Sequence, residues 1–270
     1  MRPGAVLDPL GYPRWMASEL RAVLFDFDGT LGCYRPSHLE LYVRAAAEHG
    51  VATTTAAIAA AVDAGWARWE TGYGVDHSAH SGDEQAYAAM RARLHLGRYE
   101  AAGVRAAPAV MQAIAEQLCV SEAMPEHFAL FEDTIAALER VRAAGLRAYI
   151  VSNHVWRLPE VIEALGLGEL IDGVLTSARV GYRKPHPAIF RAAAELAGEV
   201  PSALLYVGDN VAHDVEGARV AGMRAVLIDR KGTSVEPEAS NAIRSLLDVP
   251  LLDVPLLDVP HAGDAVKETR

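Results

Sequence analysis

Asp26 and Asp28 stand one residue apart at the end of an apolar run, in VLFDFDGTL (residues 23–31), with Gly29 and Thr30 directly behind them. Two carboxylates this close repel each other, so a folded chain keeps such a pair for a cation, for acid–base chemistry, or as a solvated turn. Other short apolar runs also end on polar groups. Ser152 and Asn153 close LRAYIVSN, and Asp209 and Asn210 close ALLYVGDN with Asp214 shortly after. Lys184 lies in GYRKPHPAIF. These groups can act together only if the elements carrying them converge.

The elements can be read from the apolar pattern. Residues 21–27, 146–153, 171–177, 203–210 and 223–229 read as buried strands, four of them rich in β-branched or aromatic residues and all too short for helices. TIAALERVRAAG, ahead of the second run, and the segments between the later four, such as AIFRAAAELAG, have helical spacing and end in glycine. Strand–helix alternation with strands apolar on both faces predicts a doubly wound, Rossmann-like α/β core with a parallel sheet. The first strand is followed instead by alanine-rich helical segments from Tyr34 to about Met124. One begins at Ser37, with Glu40 placed for a capping box and Gly50 just past its end, and others lie near 55–71, 83–96 and 107–119. The expected organisation is an arm over 1–18, a core over 19–33 and 125–235, an all-helical cap domain over 34–124, and a tail over 236–270. The cap must sit above the C-terminal end of the first strand, where open α/β sheets bind ligands. Asp26, Asp28, Ser152, Asn153 and Asp209 close strands and Lys184 opens the helix after the third, so all converge on one sheet edge.

With that convergence in view, the chain resembles the haloacid dehalogenase superfamily of hydrolases, in its phosphatase form with a helical cap after strand one. Asp26-Phe27-Asp28-Gly29-Thr30 matches the first motif of that family, Ser152 the second, Lys184 the third, and Gly208-Asp209 with Asp214 the fourth. The resemblance covers residues 20 to 230. It implies a phosphomonoesterase acting on a small phosphorylated metabolite, with Mg²⁺ held by Asp26, Asp209, the carbonyl of Asp28 and, directly or through water, Asp214. Asp26 is the implied nucleophile, forming an aspartyl-phosphate, and Asp28 the implied acid and then base. Lys184, the Ser152 hydroxyl, Asn153 and nearby backbone N–H groups are the implied phosphate cradle. Of the two aspartates, Asp28 should titrate at the higher pH. A carbon–halogen dehalogenase has no alcohol to protonate and so no use for Asp28, and phosphonate cleavage needs a cap lysine that this chain lacks. A sugar-phosphate mutase on the same core stays open, as does a non-catalytic phospholigand- or partner-binding protein.

The remaining features set bounds. An apolar fraction of 51% suffices for a globular core, and a net charge of −10 argues against nucleic acid and anionic membranes as partners. Cys33 and Cys119 have neither metal nor disulfide spacing and read as small buried hydrophobes of a reducing, cytoplasmic setting. His77 and His80 could suit a metal but lack a third ligand, so a solvated loop is expected. His154 and His213 read as rim residues, Trp66, Trp69 and Tyr73 as cap core, and Tyr34 and Arg35 as specificity candidates. LLDVP repeats three times over 246–260, with a proline every fifth residue, and predicts an extended tail or docking peptide.

Overall fold

The computed structural model describes residues 19–71, 76–232 and 242–251, with side chains excepted over 66–71. The 1–18 arm, Tyr73, the side chains of Trp66 and Trp69, and the LLDVP copies beyond Leu251 lie outside the described residues.

Five parallel strands form the central sheet: β1 (Ala22–Phe25), β4 (Arg147–Ser152), β5 (Gly173–Thr176), β6 (Leu204–Gly208) and β7 (Arg224–Leu227), in the order β5-β4-β1-β6-β7. All five correspond to the strands expected from the apolar runs. Their two faces are buried separately. Val23, Phe25, Ile150, Leu205 and Val207 pack beneath α5 (Thr134–Ala143) and α6 (Leu158–Ala164). Leu24, Tyr149, Val151, Leu204 and Tyr206 pack beneath α8 (Pro187–Ala197) and α9 (Gly217–Val220). Between α6 and α8 lies one further short helix, α7 (Ser177–Val180). The chain leaves β1 for β4 and β5 on one side, then crosses back to β6 and β7 on the other. β1 is therefore the switch point, and ligands of open sheets bind at the carboxyl ends of the strands there.

The helical insert comprises α1 (His38–Glu48), α2 (Thr55–Thr71), α3 (Glu84–Ala101) and α4 (Pro108–Ser121). The Ser37–Glu40 capping box closes as expected, and Gly50 ends the turn at φ 72°. Leu41, Tyr42, Ile58, Tyr99, Met111, Ile114 and Leu118 form an apolar cluster of the insert's own together with Val104, and Tyr34 of the entering segment packs against it.

Four expectations need correction. Two three-residue strands, β2 (Gly32–Tyr34) and β3 (Phe128–Leu130), pair antiparallel where the chain enters and leaves the insert; they are too short to register as periodicity. Lys184 does not open a helix but sits in the loop three residues ahead of α8. The turn expected as one helix over DVEGARVAG begins with a π-helical stretch, Val211–Glu216, before α9. The first LLDVP copy is packed rather than extended: Leu246–Asp248 forms a short helical turn, and Leu246 and Val249 are buried in the core under β1 and β6.

Candidate active site

Phe27 explains the spacing of the two aspartates. Just past β1 the chain is still extended, with Asp26 N–H donating to Val207 O at 2.9 Å, so alternate side chains point opposite ways. Phe27 is fully buried in the core, which turns Asp26 and Asp28 together toward the cleft. The chain then doubles back: the N–H groups of Thr30, Leu31 and Gly32 all reach Phe27 O. Gly29 has φ 78°, and a Cβ there would collide with Asp209 Oδ2.

Lys184 lies between two carboxylates, 2.8 Å from Asp26 Oδ1 and 2.5 Å from Asp214 Oδ1, and donates to the Tyr206 hydroxyl at 2.9 Å. That hydroxyl in turn donates to Val151 O at 2.6 Å. Burial alone would lower the lysine's pKa, but Asp214 and Asp26 outweigh it and raise it. Asn153 fixes the loop on which the lysine stands. Its Oδ1 accepts from Lys184 N–H at 2.7 Å and its Nδ2 donates to Lys184 O at 3.0 Å. Asn153, expected to bind phosphate, thus has both ends of its amide engaged by the lysine's main chain. Ser152 is buried at the end of β4.

The π-helical turn after β6 brings Asp214 back toward the sheet. Asn210 caps that turn through Oδ1, while its N–H donates to Asp214 Oδ2 at 3.0 Å. Gly208 leaves room for this return, since a Cβ there would strike the Asp214 carboxyl. Donor atoms of Asp26, Asp209 and Asp214 come within 4.8 Å of one another.

Four carboxylates with one lysine leave an excess of negative charge. Asp28 is pushed up to about 8 by burial, then by Asp26 and Asp209. Its side chain retains 42% of its surface, and that open face lines the cleft. Asp209 is open on its outer side but enclosed toward Gly29. This enclosure, then Asp26 and Asp214, push it up to about 7. Asp214 rises to about 6, through burial against the pull of Lys184. A clustered all-oxygen donor set that holds protons this tightly for want of positive charge fits a hard divalent cation. Asp26 and Asp209 are the freer carboxylates, because both oxygens of Asp214 already accept hydrogen bonds.

A cavity of about 220 Å³ opens in front of Asp28, between the core and the insert. Asn153, His154, Val155 and Arg183 line it from the core, and Tyr34, His38, Tyr87, Arg91, Arg98 and Glu122 from the other side. Tyr34 is thus in place as expected; Arg35 is exposed and does not line the cavity. The arginines and Glu122 escaped sequence reasoning, because helical periodicity does not say which polar face looks inward. His154 is no rim residue: it is buried, packed edge-on to Phe27 and stacked on Tyr34, with Nε2 3.7 Å from Asp28. Burial lowers it to about 3. His77 is likewise buried rather than solvated, bound through Nε2 to Ser177 O at 2.8 Å. Cys33 and Cys119 are unpaired and half-buried. Among the described residues no helix is long and apolar enough to cross a membrane.

A family model described as haloacid dehalogenase-like hydrolase matches residues 20–222. Among curated proteins, haloacid dehalogenase-like hydrolase domain-containing protein 3 of Bos taurus is 40% identical over 130 residues, 48% of this chain and 51% of that protein. Phosphoserine phosphatase of Thermus thermophilus is 39% identical over 118 residues, 43% of this chain and 47% of that protein. The chain spans about half the length of the curated relatives it matches. Among solved structures, a HAD phosphatase from Thermococcus onnurineus superposes with a TM-score of 0.55 at 26% identity, over 84% of this chain and 95% of that one.

Proposed function

The chain belongs to the haloacid dehalogenase-like hydrolases, and from that premise we propose that it is a magnesium-dependent phosphomonoester hydrolase acting through an aspartyl-phosphate on Asp26. The observation that carries this reading is the division between two neighbouring carboxylates. Asp26 is ion-paired to Lys184, whereas Asp28 faces the cavity with its pKa pushed up to about 8. A carboxyl whose pKa is raised toward neutrality can hold a proton and give it to a leaving alkoxide. Relatives named as phosphatases support the same class.

In the proposed reaction, an Asp26 oxygen forms a bond to phosphorus as the ester P–O bond breaks, and Asp28 gives its proton to the departing alcohol. Asp28, now a carboxylate, takes a proton from water as that water attacks phosphorus. The bond to Asp26 then breaks and inorganic phosphate leaves. Lys184 and the Ser152 hydroxyl hold the phosphoryl oxygens, and Asn153 holds Lys184 in position. Mg²⁺, held by Asp26, Asp209, the Asp28 carbonyl and Asp214, would supply positive charge that offsets repulsion between nucleophile and phosphate. The helical insert serves as the cap over the cleft. A cavity of about 220 Å³ is below the roughly 300–1,000 Å³ of sites for drug-sized ligands, so the substrate is a small phosphorylated metabolite. Two unpaired thiols suit a cytoplasmic setting.

Phosphate release from p-nitrophenyl phosphate with Mg²⁺, and its loss with chelator, tests the reading. Asp26→Asn should abolish turnover. Asp28→Asn should lower kcat/KM, which reports the phosphorylation step, by about 10²–10⁴-fold for an alkyl phosphate and far less for the nitrophenyl ester, whose leaving group needs little protonation, while slowing release of phosphate from Asp26 with both. Variants that match the wild type on both esters would refute the proposal.

A further inference from the structure

The phosphate site has its partners, but the cavity beyond Asp28 has a surplus of positive charge. Arg91 and Arg98 line it from the insert and Arg183 from the core, and the one further carboxylate in its lining is Glu122. Glu122 is fully engaged: Arg91 Nη2 donates to it at 2.5 Å, His38 Nε2 lies at 2.6 Å and His95 Nε2 at 3.1 Å. Burial would push this carboxyl up, yet Arg91 and the two histidines take it well below its ordinary value. Burial also holds His95 down, to about 4, and Arg91 is the arginine paired with Glu122.

Nothing comparable balances the other two arginines. Arg98 donates to the Tyr42 hydroxyl at 2.7 Å, a neutral oxygen. The Arg183 guanidinium makes no hydrogen bond or ion pair with any described residue. Burial first, and then Arg91 and Arg98, lower it to about 10 against the opposing pull of Tyr87 and Asp26. Arg98 and Arg183 are half-buried and open to the cavity; cations so placed without counter-ions favour an anion from solution, and a guanidinium fork suits planar or tetrahedral oxyanions. In a chain of net charge −10, a local cationic surplus is not a general surface property.

Resting on the hydrolase reading, we propose that the alcohol half of the substrate bears a second anionic group, a carboxylate or a second phosphoryl group, held by Arg183 and Arg98. Arg183 adjoins Lys184 in sequence, so one loop reads both ends of the substrate: the lysine the transferring phosphate, the arginine the distal anion. Arg91 is committed to Glu122 and serves to hold that wall of the cavity.

The test compares substrates that differ only in the distal group. 3-Phosphoglycerate and glycerol 3-phosphate share a carbon skeleton and the C2 hydroxyl, and glycerol 1,3-bisphosphate supplies the phosphoryl arm on the same skeleton. In the wild type kcat/KM should favour at least one of the two compounds with a distal anion over glycerol 3-phosphate by tenfold or more, mainly through KM. Arg183→Ala and Arg98→Ala should each bring that ratio toward one, with Arg183→Lys retaining part of it; effects on the phosphate end cancel in the ratio. Calorimetric titration of the Asp26→Asn protein with the same compounds reads the preference independently of turnover. Hydrolysis of p-nitrophenyl phosphate with ratios within threefold of one overturns this inference while leaving the hydrolase reading intact. A preserved binding preference without hydrolysis of any ester overturns the hydrolase reading instead. A strong preference that survives both alanine substitutions also overturns the assignment of these arginines.

Discussion

Asp26 and Asp28 are chemically identical and differ only in what surrounds them, and the same holds for Asp209 and Asp214. Three of the four have pKa values raised far above 3.8: Asp28 to about 8, Asp209 to about 7 and Asp214 to about 6. A carboxyl whose folded pKa lies above its unfolded value binds its proton more tightly when folded. Its contribution to stability is complete below about 4 and is lost as pH rises through 6 to 8. Between pH 5 and pH 8 these aspartates therefore withdraw stability from the metal-free protein, against the opposite trend of His77, His95 and His154, whose pKa values are lowered, and Mg²⁺ should restore more at pH 8, where protons no longer compete. Asp209→Asn should flatten that pH dependence. Thermal unfolding with chelator or Mg²⁺ at the two pH values measures it; an equal Mg²⁺ effect at both would contradict the electrostatic account. Asp26, Asp28, Asp209 and Asn153 were legible in the sequence because each lies at or just past the end of an apolar strand, and strand ends share an edge; Asp214, beyond β6, was legible only through the family resemblance. The hold of Asn153 on the Lys184 main chain and the place of Arg183 were not legible, because a side chain's direction in a loop depends on partners far away in the chain.

At the scale of elements, the loop after β1 is held from behind. Arg230 donates to Thr30 O at 2.6 Å and is paired with Asp133 at 3.0 Å. Asp133 also accepts from the Ser245 hydroxyl and from Leu246 N–H, each at 2.8 Å. One carboxylate thus ties the Asp-x-Asp loop, the start of α5 and the first LLDVP copy together. Asp133→Ala should cost about 2–3 kcal/mol, lowering Tm by roughly 5–10 °C, and should weaken turnover by loosening Thr30. Differential scanning calorimetry beside the phosphatase assay checks both; an unchanged Tm would show that the clasp is unimportant. The strands and the Ser37 capping box were readable because periodicity and caps are local signals. The packing of Leu246 and Val249 was not, since a proline-spaced repeat gives no hint of the apolar groove beneath β1 and β6 that accepts it.

Across the whole molecule, the sheet supplies the reacting groups and the helical insert supplies the opposite wall. β2 and β3 join the two where the chain leaves and re-enters the core, and the loop at His77 meets the core again through Gly181 and Ser177. The cavity between them is fronted by Asp28 and lined further by Arg91, Arg98 and Arg183, a set suited to a phosphate with a further anion beyond it. The account stands or falls on a covalent phosphate at Asp26. Borohydride reduces an acyl phosphate to an alcohol, so quenching the enzyme during turnover of p-nitrophenyl phosphate with Mg²⁺ and borohydride should convert Asp26 alone to homoserine, as read by peptide mass spectrometry. Turnover that proceeds with Asp26 unmodified, or with the product at Asp28, would contradict it.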